Sequence, residues 1–236
     1  MLAFLAFLSA EGYPASPRPI GNGFAPDGRE MLTFIEGVSP QPFAWTNEAA
    51  FEVGTLLRTL HTLSSKWTPP PNAHWRPWFA RELSEAHSVI GHGDLGPWNI
   101  LARSGHPVAF IDWDNAGPVD PHWELAHVVW QNAQLYDDDV AALNQLPDIT
   151  QRAEQAKLIL DGYGLVNEAR GNFVDRMIQL AIWSAREEAV EFNVVSDSLS
   201  PTPSGYPLLW AVTWRTRSAA WMLDHRDALQ AALQSH

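Results

Sequence analysis

The chain has 236 residues, 46% of them hydrophobic, with a formal net charge of −12 and no cysteine. That composition can supply a packed core for one large domain or two lobes around a cleft, and zero cysteines exclude disulfides, thiolate metal sites and a cysteine nucleophile. The 27 acids against 15 lysines and arginines would repel a phosphate backbone, so no nucleic acid is expected as a partner.

The opening run Met1 to Leu8 is apolar, but no basic residue precedes it and it is too short to cross a bilayer. Neither export nor membrane attachment is expected, and the expected location is cytoplasmic. Residues 2–10 read as a helix stopped at Gly12, and Arg29 to Glu36 as a strand after the Asp27-Gly28 turn signal. Thr46 or Asn47 can cap a helix whose Val53, Leu56, Leu57, Leu60 and Leu63 recur at helical spacing, so one face is buried. Pro69-Pro70-Pro71 ends that block, and a helix from Trp78 to His87 and a short strand at Val89-Ile90 follow. Asp120 as N-cap with Pro121 at the first helical position opens a mostly helical remainder, read as helices over 121–136, 150–162, 168–192 and 207–234. Strands early and helices late predict an α+β fold.

Chemistry-bearing residue types collect between these blocks. His92-Gly93-Asp94-Leu95-Gly96-Pro97-Trp98-Asn99 follows the Val89-Ile90 strand as a loop, and loops held by a scaffold commonly carry reactive groups. Ile100 to Ala102, a turn at Arg103 to His106, and Val108 to Ile111 read as a β-hairpin. Counted from the middle of that turn, Asn99 falls opposite Asp112, where directly opposed Cα atoms are about 4.5–5.5 Å apart. An amide oxygen beside a carboxylate suits Mg²⁺ bound with a nucleotide, and Asp94 lies close enough to accept a proton. A hydrolytic dinuclear centre of His92, Asp94, Asp112 and Asp114 uses the same residue types but leaves Asn99 and the Asp120-Pro121 helix start unexplained.

His92-Gly93-Asp94 with Asn99, then Ile111-Asp112-Trp113-Asp114 and Asp120-Pro121-x-Trp123-Glu124-Leu125-Ala126, resemble the catalytic loop of the eukaryotic-like kinases in the form found in the aminoglycoside phosphotransferase and choline kinase family. Gly28 to Gly37 is similar to that family's hinge strand, and Leu56 to His61 to the helix that supports its catalytic loop. The resemblance implies a protein-kinase-like fold with a residual N-lobe and hinge over 1–37 and a helical C-lobe with the catalytic loop over 38–236. It implies transfer of the γ-phosphoryl of Mg-ATP to a hydroxyl of a small molecule. Asp94 would be catalytic, Asn99 and Asp112 would hold Mg²⁺, and His92 and Asp120 would support the loop. The Thr33 carbonyl and Ile35 amide would contact adenine, and Glu188 or Glu191 would meet a substrate amine.

The sequence departs from the family pattern at its start. A Gly-rich phosphate-covering strand pair and a following Lys are expected, yet the lysines of the chain are Lys66 and Lys157. The reading is therefore a family member incomplete at its N-terminus, with a degenerate pseudoenzyme serving as a nucleotide-sensing or interaction module as the alternative. The apolar face of the first helix and the missing sheet edge are expected to be exposed and to invite self-association.

Overall fold

The computed structural model describes residues 1–83 and 86–235. A short apolar helix, α1 (Leu2–Ala10), precedes an antiparallel pair, β1 (Pro19–Phe24) with β2 (Glu30–Leu32), turned around Gly28. The strand expected over Arg29 to Glu36 is thus shorter. Beyond Leu32 the chain stays extended, held by the Thr33 N–H donating to the Arg18 carbonyl (2.8 Å) and by a bridge between Val38 and Ala102. The expectation of an exposed first helix is corrected. Phe4, Leu5 and Leu8 are fully buried, and the Phe4 ring lies 4.9 Å from Trp67 and 6.0 Å from Trp113. An apolar helix with aromatic partners to cover it gains more by packing on its own chain than by waiting for a second copy.

The helical lobe begins with α2 (Asn47–Ser64), capped by the Thr46 hydroxyl accepting from the Ala49 N–H at 3.2 Å. It crosses α5 (Ile149–Tyr163) at two glycines: a Cβ on Gly54 would sit 2.0 Å from the Ile159 carbonyl oxygen, and one on Gly162 would sit 1.9 Å from that of Phe51. Two small pairs of strands carry the site: β3 (Val89–Gly91) with β6 (Gly117–Val119), and β4 (Ile100–Arg103) with β5 (His106–Phe110). The helix expected over Trp78 to His87 is a 3-10 turn over Phe79–Leu83, and the reading at Ser84 and Glu85 lies outside the described residues.

α3 (Pro121–Asn132) starts at Asp120, whose Oδ1 accepts from the His122 N–H at 2.8 Å. A short helix, α4 (Asp138–Leu143), falls in the gap between the helices expected over 121–136 and 150–162. It is tied to the body by Arg217, which reaches both Asp137 and Asp139. α6 (Phe173–Glu191) packs on α7 (Leu208–Asp224), and α8 (Arg226–Leu233) breaks from α7 at His225, dividing the single last helix that was expected. The result is α+β, a small β-containing lobe on a larger helical one in a protein-kinase-like arrangement. Among the described residues no helix is long and apolar enough to cross a membrane.

Candidate binding site around the Asp94 loop

The loop after β3 is held from beneath by a buried polar chain. Gly93 adopts φ +84°, and a Cβ there would lie 2.4 Å from the Asn115 carbonyl oxygen, so only glycine lets the loop turn this close to its neighbour. Its N–H donates to Glu124 Oε1 at 2.7 Å, Glu124 Oε2 meets His61 Nε2 at 2.6 Å, and His61 Nδ1 meets the Tyr163 hydroxyl at 2.8 Å. Burial alone would raise the Glu124 carboxyl, but the His61 hydrogen bond and charge and the Gly93 N–H outweigh it and hold the group below its ordinary value. Glu124, four residues past Asp120, thus braces the loop through the Gly93 N–H. Glu124 and His61 both stand in the quoted motifs, but nothing in their spacing says that they meet.

His92 is fully buried. Its Nε2–H donates to the Ile111 carbonyl at 2.9 Å, while Nδ1 accepts from the Asp94 N–H at 3.4 Å. Burial pushes His92 down to about 4, so it is a neutral link between the loop and the segment entering Asp112. Asn99 turns its amide inward, Nδ2 donating to the Asp94 carbonyl at 2.8 Å and to Asp94 Oδ2 at 3.0 Å. Burial, and after it the charge of Asp112, pushes the Asp94 carboxyl up to about 6 against hydrogen bonds from Trp98 and Asn99.

The expected pairing of Asn99 with Asp112 is corrected by one residue. The hairpin turns on Ser104 and Gly105, both with positive φ, and a bulge shifts the ladder between Leu101 and Ala102. Asn99 therefore lies opposite Ile111, whose N–H donates to its carbonyl at 2.9 Å. Asp112 follows in a left-handed conformation at φ 61°, a strained position for a residue with a side chain and of a kind that gathers at functional sites.

Two hollows flank this loop. On one side a pocket of about 420 Å³ is lined by Asp94, Trp78, Trp98, His127, Glu187, Glu188, Glu191, Arg76 and Arg215, so Asp94, Glu188 and Glu191 come together. Glu188 pairs with Arg215 at 3.3 Å and accepts from the Tyr206 hydroxyl, while Glu191 lies 3.9 Å from Arg76. His127 is buried, with Nδ1 lacking a partner among the described residues. Arg215 and His127 line this pocket and were missed by sequence reasoning, as was Tyr206, which reaches it through Glu188.

On the other side a cleft of about 420 Å³ is lined by Thr33 and Ile35, by Met1 and Leu5 from the α1 region, and by Glu30, Asp112 and Asp114. Thr33 and Ile35 thus share one hollow with Asp112, and Asp94 opens into the other. No lysine or arginine lines the cleft, so a triphosphate entering it would meet three carboxylates and no basic side chain. Asp94, Asp112 and Asp114 do not converge on one ion position either: among the described residues, the one group of three His or acidic side chains with ligand atoms within 4.8 Å of one another is Glu48, Glu52 and His106. The residues present do not fit Mg-ATP.

Comparison with known proteins gives a kinase-type family and fold, and a relative with a different role. Residues 72–155 match the Phosphotransferase enzyme family. The whole backbone resembles an amicoumacin kinase bound to AMP-PNP and Ca²⁺ (TM-score 0.62, 11% identity, 97% of this chain and 75% of the other) and a microcompartment-associated aminopropanol kinase (TM-score 0.61, 14% identity, 97% and 81%). It also resembles a choline kinase of Cryptosporidium parvum (TM-score 0.58, 14% identity, 99% and 80%). At these identities the likeness is one of fold. In sequence, the chain is 49% identical over 233 residues, 99% of its length and 87% of the relative's, to a trifolitoxin immunity protein of Rhizobium leguminosarum bv. trifolii. That relative is named for protection against a toxin. The expectations of an ATP-dependent phosphotransferase, of kinase activity, of ATP and Mg²⁺ as cofactors, and of a small-molecule hydroxyl acceptor as partner are corrected accordingly. The cleft's three carboxylates without a basic side chain supply the physical reason.

Proposed function

We propose, from the premise that this chain belongs to the phosphotransferase enzyme family of aminoglycoside-phosphotransferase-like and choline-kinase-like folds, that it is a toxin-immunity protein using that fold as a binding module. The observation that carries the reading is the 49% identity across 99% of the chain to a trifolitoxin immunity protein. In this reading a toxin of the trifolitoxin kind is captured in the cytoplasm by the body over 38–236, whose residues line the pocket beside Asp94.

The pocket on the Asp94 side is the hollow suited to capture. Asp94, Glu187, Glu188 and Glu191 outnumber Arg76 and Arg215, and Trp78 and Trp98 add flat apolar surface. That combination favours a ligand segment carrying an amine or guanidinium beside an apolar group. The capture needs no chemical step, only a preorganised wall, which the Gly93–Glu124–His61–Tyr163 chain provides.

The test is to produce the chain in toxin-sensitive cells, measure the toxin concentration that halts growth, and titrate purified protein with toxin by calorimetry. Tolerance should rise by about tenfold or more, with a saturable heat of binding, and Glu188→Gln and Asp94→Ala should lower the affinity by about tenfold or more. Absence of both protection and binding would reject the reading. Protection that persists in both variants would move the binding surface elsewhere.

A further inference from the structure

A third hollow has no place in the toxin reading. It has a volume of about 660 Å³ and shares the Thr33 to Ile35 segment with the acidic cleft, but its other walls come from the end of α1, the segment leading to β1, and the β4–β5 hairpin. Its charge is of the opposite kind: Arg18 and Arg103 line it, against the single carboxylate of Glu36.

In a chain of net charge −12, two arginines facing one hollow call for a physical account. Arg76, Arg152, Arg170, Arg215, Arg217 and Arg226 each pair with a carboxylate. Arg18 and Arg103 have no such partner among the described residues, although acids are in large excess. Both are held in place by other means. The Arg18 backbone is tied to the hinge twice, its N–H donating to Thr33 Oγ1 at 2.9 Å and its carbonyl accepting from the Thr33 N–H at 2.8 Å. Arg103 Nη2 donates to the Glu36 carbonyl at 2.9 Å, which fixes the guanidinium plane and leaves its other N–H groups for a ligand.

Two further features belong to the same wall. Ser16 is 5% exposed, and its hydroxyl has no hydrogen-bond partner, a cost that native structures seldom carry without a ligand or water to meet it. Phe34, on the hinge, is 91% exposed, an aromatic ring with nothing packed on it. Guanidinium groups recognise carboxylate and phosphate oxygens through paired N–H donors, and an uncovered ring supplies a stacking face beside them.

We propose that this hollow is a binding site for a small organic anion, a carboxylate or phosphate monoester carried on a flat apolar body. Arg18 and Arg103 hold the anionic group, the Ser16 hydroxyl lies at the floor and Phe34 stacks on the body.

The test uses the full chain and follows its melting temperature and calorimetric heat with four probes: benzoate, phenyl phosphate, the neutral benzamide and inorganic phosphate. A saturable shift is expected with benzoate or phenyl phosphate, and little or none with benzamide. A preference of about tenfold between the two anions names the source as carboxylate or phosphate ester. R18A/R103A, which keeps the Arg18 backbone bonds to Thr33 and loses the exposed Arg103 bond to the Glu36 carbonyl, should bind at least about tenfold more weakly. F34A should weaken the aromatic anions but not inorganic phosphate, and added salt should weaken all anion binding. Three outcomes would overturn the site: no saturable shift with either aromatic anion, an equal shift with benzamide, or unchanged binding in R18A/R103A. None involves the toxin, so this test and the immunity test fail independently.

Discussion

The pocket beside Asp94 and the cleft beside Asp112 are of similar size and both acidic, yet they treat their acids differently. In the pocket, Glu188 and Glu191 face Arg215 and Arg76, and the Tyr206 hydroxyl reaches Glu188, so carboxylates are positioned and partly compensated. In the cleft, Glu30, Asp112 and Asp114 stand with no lysine or arginine among the lining residues. Counter-ions decide what an acidic hollow accepts: the first can hold a cation and orient it, whereas the second repels the polyanion for which its fold is best known. One loop separates the two, and Asp94 on its pocket side still senses the charge of Asp112 on its cleft side.

The largest break in that comparison would come from removing the brace under the loop. Glu124→Ala leaves the Gly93 N–H and His61 buried without their partner, and should cost about 3–5 kcal/mol in urea unfolding. A loss below about 1 kcal/mol would mean that the loop stands without it.

Next in size is Asp94→Asn. The carboxyl rises from an ordinary 3.8 to about 6 in the folded chain. Between those values the folded state keeps a proton that the unfolded chain has released, so stability falls as pH rises from about 4 to 6 and the penalty is complete above it. That rise corresponds to at most about 3 kcal/mol, reduced by the solvent that reaches a half-buried group. Asp94→Asn should therefore stabilise the protein at pH 8 and not at pH 4. His92 and His127, both pushed down to about 4 by burial, act oppositely: their stabilisation is lost as pH falls from about 6.5 towards 4. The difference between wild type and variant isolates Asp94, and a difference that does not grow between pH 4 and 7 would refute its burial.

Arg215→Ala makes the pocket resemble the cleft by uncovering Glu188, whose side chain is 13% exposed against 18% for Arg215. About 1–2 kcal/mol of stability should be lost at low ionic strength, less in high salt. The smallest expected effect is none: Mg-ATP should leave the melting temperature unchanged, whereas a ligand at a hundred times its dissociation constant would add about 2.7 kcal/mol. A Mg²⁺-dependent rise would overturn the account of the cleft.

The loop residues were legible because their spacing is itself the signal: His92, Asp94 and Asn99 lie within eight positions of one another, and a local loop brings them together. The facing of Asn99 and Asp112 was off by one because register depends on turn type, and a Ser104-Gly105 turn followed by a bulge is decided by backbone dihedrals that a hydrophobic pattern does not encode. The burial of α1 was hidden for another reason. An apolar run announces that it will be covered, not by what, and its cover is Trp67 and Trp113, drawn from two distant segments.

By itself the sequence determined the α+β class, the kinase-like loop, the caps at Thr46 and Asp120, and the lack of a lysine before the hinge, since each rests on near neighbours or on composition. Tertiary structure decided that Glu124, His61 and Tyr163 form one buried chain, that Asp94 and Asp112 open into different hollows, and that Arg18 and Arg103 meet at a third. Those facts join side chains up to about a hundred positions apart. Such meetings are set by how helices and hairpins pack, and no local pattern records them.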